Sequence, residues 1–364
     1  MNRTYLKPKL EIIMRRKQKI NTILPYNLEE RYADLYKRKS TYECPQLEVK
    51  HYRNVFVSHE GLCWKNFRLL PYSTFNINSS YDAKHGWEFL RLVSEQYLVS
   101  TFGKSLKKIC LPEDKTYALI HTKWFNYSFW MTSSLVRLRM LCLQQKDYTL
   151  LYPEEWDKIA YIKDTLCAFP DLKIERIPAG VHVQVPHLLL PEVRPFTACL
   201  NGDDIMDVSN YLQSFYANEI ANLPVAPPKI FVNRKKASCR KVINYEEVRQ
   251  IMKKYGYVEV DFDDMSVVEQ IAYMRCAKKV VMLHGAGMTN MMFATPNTKV
   301  LELMHEYTEP RTYRFVYWFL SVQMGCDYYV QFCKTSDTHP DDWRKDIEVD
   351  AKKLEENLLL MEQQ

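Results

Sequence analysis

Residues 279–303 hold the arrangement richest in chemistry. An apolar run at residues 280–283 stops at His284-Gly285-Ala286-Gly287-Met288-Thr289-Asn290, and a second apolar run leads to Glu302. The pattern predicts strand, tight glycine turn, helix, strand. Two of only 9 glycines sit in this turn, where they would let the backbone take positive φ and let a ligand approach closely. A helix starting after Gly287 would aim free N–H groups and its positive end at that ligand, which favours a phosphate. A simple strand-to-helix turn around a buried histidine would show the same spacing. A second stretch, Asn233-Arg234-Lys235-Lys236-Ala237-Ser238-Cys239-Arg240-Lys241, follows an apolar run at residues 229–232. Guanidinium groups pair bidentately with phosphate oxygens and offset the charge on a departing diphosphate, which makes Arg234 and Arg240 the natural clamp. Lys235, Lys236 and Lys241 read as solvent-facing. Asp261-Phe262-Asp263 has the spacing of a metal-binding acidic pair, but so short a triplet recurs by chance and reads as a polar loop.

These stretches need a scaffold that brings them together. Short strands are predicted at residues 229–232, 257–260, 280–283 and 300–303. Helices between them are opened by Asn244 with Glu247 and by Ser266 with Glu269, each with capping-box spacing. Strand and helix in this alternation build a parallel Rossmann-like sheet, whose ligands bind beyond the carboxyl ends of its strands. The basic loop and the glycine turn both lie at such ends and can therefore converge on one ligand. Upstream, strands are expected at residues 55–58, 117–120, 149–152, 173–177 and 181–190, with Pro186 marking an edge or break in the last. Helices are expected at residues 87–102, 129–143 and 157–169. The fold class is therefore α/β. The cluster Pro224, Pro227 and Pro228 is the natural boundary. It gives a basic N-terminal extension at 1–50, a first α/β domain at 51–223, a nucleotide-binding domain at 224–335 and a helical tail at 336–364.

Composition narrows the function. At 364 residues with 47% hydrophobic and 26% charged side chains, the chain can bury two cores and is not disordered. A net charge of +6 is too small to argue for nucleic acid. The 10 cysteines show no C-x-x-C pair, which argues against a zinc ribbon or a disulfide framework and for reduced thiols. Residues 1–20 lack the apolar core of a signal peptide, so a cytoplasmic enzyme is expected. The same stretch carries seven basic residues against Glu11, interspersed with leucine and isoleucine. It could rest on anionic lipid at the inner face of a membrane, or be a solvated or helical terminus. No Walker loop or His-Glu-x-x-His helix occurs, which argues against P-loop enzymes and zincins, and the missing Gly-x-Ser-x-Gly elbow argues against a third reading, an esterase using the glycine turn as an oxyanion hole.

His284 to Asn290, with Glu302 beyond, resembles the signature of the family-61 glycosyltransferases. That family includes plant xylosyltransferases, animal N-acetylglucosamine transferases and bacterial polysaccharide enzymes, and the absence of a leader is similar to its bacterial capsular branch. The Arg-rich turn and the Ser266-x-x-Glu269-Gln270 helix fit in order. The resemblance implies a GT-B arrangement, two Rossmann-like domains facing a cleft. It also implies an inverting transfer from a nucleotide-diphosphate sugar to a glycan or lipid-linked glycan, with no metal and no cofactor besides the donor. Donor-binding residues carried over are Arg234, Arg240, Glu269, Gln270, His284, Gly285, Ala286, Gly287, Met288, Thr289, Asn290 and Glu302. Glu302 would meet ribose hydroxyls, and its other reading is a surface glutamate at a strand end. In the first domain Asn126, Tyr127, Trp130, Leu135, Arg137 and Leu138 match a family segment. Phe129 and Ser133 stand where that segment has a histidine and an acid. The usual general base is thereby missing. His121 is the candidate to replace it, and a degenerate glycan- or nucleotide-binding protein is the alternative to an enzyme.

Overall fold

A computed structural model describes residues 18–66, 68–70, 73, 107–122, 125–144, 147–192, 200–234, 236–306, 315–336 and 344–363. The helix expected at 87–102 and most of the basic stretch at 1–20 lie outside these residues. Two units emerge, one comprising Glu43–Val208 and the other Lys19–Tyr42 with Ser209–Gln364; the latter includes helix α1 (Glu30–Lys39). This corrects the expected boundaries at three points. The division falls at residue 208 rather than at the proline cluster, because Ser209 is already tied into the second unit by a 2.6 Å bond from its hydroxyl to the Met292 carbonyl. Residues 19–42 are no loose extension. Asn27 exchanges 2.9 Å bonds with the backbone of Val330, and the Tyr36 ring packs against Phe315 and Trp318. The expected tail at 336–364 supplies a strand and a helix to the second core.

The first unit is built on a mixed sheet. Its strands are β1 (Val49–Ser58), β2 (Cys63–Lys65), β3 (Arg68–Leu69), β4 (Lys107–Cys110), β5 (Tyr117–Leu119), β6 (Thr149–Pro153), β7 (Lys173–Ile177) and β8 (Val181–Pro191), in the order β3-β2-β1-β8-β5-β6-β7, with β4 beside β8. β5, β6 and β7 run parallel, whereas β8 pairs antiparallel with β1 along nearly its whole length. This sheet is half meander and half parallel, so the expectation of two Rossmann-like domains is corrected to one. Pro186 sits in the central strand rather than at an edge. It falls where the neighbour of β8 changes from β4 (partner residues up to Gln184) to β5 (from Leu188), so its missing N–H leaves no ladder bond unmade. Helix α2 (Leu135–Leu143) is entered through a single turn, Tyr127–Phe129, and a π-helical turn, Trp130–Ser134. Helices α3 (Ala160–Leu166) and α4 (Gly202–Phe215) follow.

The second unit is the Rossmann-like one. Strands β9 (Lys229–Val232), β10 (Val258–Val260), β11 (Lys279–Leu283), β12 (Lys299–His305) and β13 (Asp327–Thr335) are all parallel. β14 (Ile347–Glu348) adds antiparallel at the end, in the order β10-β9-β11-β12-β13-β14. Continuous apolar strands bury both faces of such a sheet. One face carries Phe231, Val281, Leu283, Leu301, Leu303 and Tyr329 into a core closed by Val248 and Met252 of helix α5 (Tyr245–Lys254). Helix α6 (Val267–Cys276) starts with the expected capping box, and α7 (Val316–Gln323) precedes β13. Leu354, Leu358 and Met361 of α8 (Ala351–Gln363) complete the core. No helix among the described residues is long and apolar enough to cross a membrane.

Candidate functional site

The chain order β9, β10, β11 and the spatial order β10-β9-β11 place β10 on one side of β9 and β11 on the other. The winding reverses between β9 and β11, and in open parallel sheets the ligand crevice opens beyond the carboxyl ends of two such strands. Arg234 follows β9 there and His284 follows β11. Arg234 Nη1 donates to the His284 carbonyl at 3.0 Å, and Arg240 Nη1 donates to the same oxygen at 3.3 Å. Two guanidinium groups from one loop therefore meet over the glycine turn. Burial, and then the neighbouring charge of Arg240, pull Arg234 below its ordinary pKa. Among the described residues Arg234 makes no ion pair with a carboxylate. Arg240 adopts a left-handed backbone conformation with φ 63°, at a cost of roughly 1–2 kcal/mol that the loop must offset. Positive charge is concentrated here.

The glycine turn differs from expectation in a revealing way. Gly285 is extended, with φ 164°, and Gly287 already lies inside a 3₁₀ helix, Ala286–Phe293. Neither glycine uses the left-handed region. Gly285 instead leaves room for a side chain from the loop after β9: an added β-carbon would lie 2.9 Å from Arg234 Cζ and closer still to Nη1. At Gly287 it would meet only Met282 Cε, at an ordinary 3.8 Å. The turn starts at Ala286 rather than after Gly287, and the Met288 N–H is taken by the Gly285 carbonyl at 2.9 Å. Fewer free N–H groups thus face a ligand than an α-helix would offer.

The remaining expected residues divide clearly. Ala286 and Gly287 keep some exposure, while His284, Met288, Thr289 and Asn290 are buried. Asn290 Nδ2 donates at 2.6 Å to Gln270 Oε1, whose own Nε2 donates to the Phe262 and Met265 carbonyls. Gln270 therefore braces the turn from behind. Glu269 uses its carboxylate in the capping box with Ser266. Glu302 is neither at a mouth nor on a surface. It is fully buried in mid-strand, with one oxygen against His284 Nδ1 and the other accepting from the Tyr328 hydroxyl. Tyr317 of α7 and His305 of β12 pack edge-on against the His284 ring, at centroid distances of 5.2 and 5.6 Å. Sequence reading missed Tyr317, His305 and Tyr328, since no local pattern ties them to residue 284. Asp261 caps a short 3₁₀ turn, Phe262–Asp264, through the Asp263 N–H at 3.0 Å, in keeping with a polar loop.

The first unit's matching segment is structural. Asn126 caps its turn through the Phe129 N–H at 3.0 Å, and the buried Trp130 indole donates to Thr165 at 2.8 Å. Arg137, 1% exposed, donates to the carbonyls of Pro191, Ile120 and His121 at 3.0, 2.7 and 3.4 Å. His121 lies in the same interior, its Nε2 on the His59 carbonyl at 3.2 Å and its ring against Trp156. Gly61 lets it fit: at φ +87° its absent β-carbon would fall 2.7 Å from His121 Cδ2. Burial pushes the His121 imidazole down to about 3, with the Arg137 charge adding to the effect and the His59 carbonyl opposing it. So weak a base inside a core is not poised to deprotonate a sugar hydroxyl, which corrects its expected role.

A family model described as Glycosyltransferase 61 matches residues 8–301, most of the chain and all of the glycine turn. The chain belongs to that family and so to the glycosyltransferases. Comparison with curated protein sequences gave no match.

Proposed function

We propose that the protein transfers a sugar from a nucleotide-diphosphate donor to a glycan or lipid-linked glycan acceptor, with inversion and without a metal, in polysaccharide biosynthesis. The observation that carries this reading is the meeting of Arg234 and Arg240 over the His284 carbonyl at the switch point of the sheet. A diphosphate bound there would accept bidentate bonds from both guanidinium groups, and these would strengthen as charge builds on the leaving group. His284 borders the same position and is 8% exposed. A cytoplasmic location, with contact to anionic lipid through the basic N-terminus, belongs to the same proposal.

Binding without transfer is the second reading. It is favoured by Phe129 and Ser133, which cannot take a proton at neutral pH, and by the burial of His121. A panel of UDP- and GDP-sugars with a glycan array separates the two. Release of nucleoside diphosphate from one donor, with a product of inverted anomeric configuration, is expected. Turnover should persist in excess EDTA, because arginines supply the positive charge. Activity lost in EDTA and restored by manganese or magnesium would contradict metal independence, and binding with no release would favour the second reading.

A further inference from the structure

Glu302 is a carboxylate on a sheet face otherwise given to apolar side chains. Its register partners are Met282 on β11 and Val330 on β13. A buried carboxylate is costly unless its oxygens are satisfied, and here both are, by His284 Nδ1 and the Tyr328 hydroxyl. The arrangement has directional consequences. Tyr328 donates to one oxygen, so the other is left to share a proton with His284 Nδ1. We infer that Glu302 is a positioning residue that, held by Tyr328, fixes His284 Nε2 as a hydrogen-bond donor to the diphosphate; this rests on the reading of Arg234, Arg240 and His284 as the diphosphate site.

The proton count gives the reason. With its proton in place, the pair is either a carboxylic acid donating to neutral Nδ1 or a carboxylate accepting from an imidazolium. Both forms carry a hydrogen on Nε2. Removal of one proton leaves a carboxylate accepting from Nδ1–H, a bare lone pair on Nε2 and one more negative charge beside the ligand. The first state attracts a phosphate oxygen and the second repels it. Burial pushes the Glu302 carboxyl up to about 8, partly opposed by the Tyr328 hydroxyl, which favours the proton-bearing form of the pair at neutral pH. Among the described residues, the other charged or titratable groups near His284 are Arg234 and Arg240 from the loop after β9, with Cys239 of that loop beside both arginines, Tyr317 from α7 and His305 from β12.

Calorimetric titration of UDP and GDP between pH 7 and 9 tests the inference. Affinity of the unaltered protein is expected to fall as the pH rises and the pair loses its proton. Glu302→Gln has no proton to lose there. Its amide oxygen would accept from Tyr328 and its amide nitrogen would donate to Nδ1, so its affinity should stay level across the same interval. Because titration of the nucleotide itself is common to both proteins, the difference between the two profiles isolates the pair. Nitrogen NMR of histidine-labelled protein gives a ligand-free reading: Nε2 of His284 should carry the proton at pH 7. A bare Nε2, or parallel pH profiles in the two proteins, would overturn the role of Glu302 while leaving the diphosphate site intact. Failure of both nucleotides to bind at pH 7 would instead remove the site reading on which the inference rests.

Discussion

Gly285→Ala is expected to weaken nucleoside diphosphate binding by about 10- to 100-fold while leaving the fold in place. The added carbon lies within 2.9 Å of Arg234 Cζ, so the guanidinium must swing away from the His284 carbonyl. Loss of one charge-assisted bond to phosphate is worth roughly 1.5–3 kcal/mol, which sets the range. Because Gly285 is already extended, alanine adopts its backbone without strain, and the whole effect should appear in binding rather than stability. Gly287→Ala is the matched control. Its new carbon makes only an ordinary contact with Met282, so its affinity should lie far closer to that of the unaltered protein. Equal losses in both variants, measured by calorimetry beside circular dichroism, would mean that the chain approaches a ligand at Gly287 and that Arg234 is not what Gly285 accommodates.

Arg137→Ala should produce the largest loss of stability in the first unit, at least about 3 kcal/mol. The guanidinium donates to three backbone carbonyls inside the core, and each buried acceptor left unpaired costs roughly 1–3 kcal/mol. Burial alone depresses the guanidinium to about 9, which reflects how completely it is desolvated. Lys173→Ala gives the contrast. Lys173 pairs with Asp147 at 2.8 Å, but both side chains are more than half exposed, and such pairs contribute about 0–1 kcal/mol. Urea denaturation followed by circular dichroism should therefore shift strongly for Arg137→Ala and little for Lys173→Ala. Similar small shifts would show that the Arg137 bonds do not hold β5 to the end of β8.

The second unit was largely legible because its signals are local. Strand runs, capping residues and the glycine turn all lie within a few residues of one another, and alternation of strand and helix dictates where the loop ends converge. What the sequence concealed is set by contacts across the fold. Gly285 looks like a turn residue, yet the space its missing side chain leaves is taken by Arg234 from a loop fifty residues earlier. Glu302 reads as a strand-end polar residue until β13 brings Tyr328 beside it. His121 looked available as a base because nothing nearby in sequence announces that the turn at His59 and Gly61 encloses it. The strand Asp327–Thr335 went unassigned, and with it the reason for residues 344–363 to join the sheet and core. Asn126, Trp130 and Arg137 match a family pattern, but capping, an indole bond and buried carbonyl contacts account for all three.

In the proposed function a nucleoside diphosphate binds where β9 and β11 end, held by Arg234 and Arg240. Calorimetric titration of UDP and GDP into the unaltered protein and into Arg234→Ala tests it most directly. Saturable binding of one nucleotide by the unaltered protein is predicted, with affinity reduced at least about tenfold in a folded Arg234→Ala, since a charge-assisted bond to phosphate is removed. Undiminished affinity in a folded Arg234→Ala would contradict the claim and place the nucleotide elsewhere on the molecule.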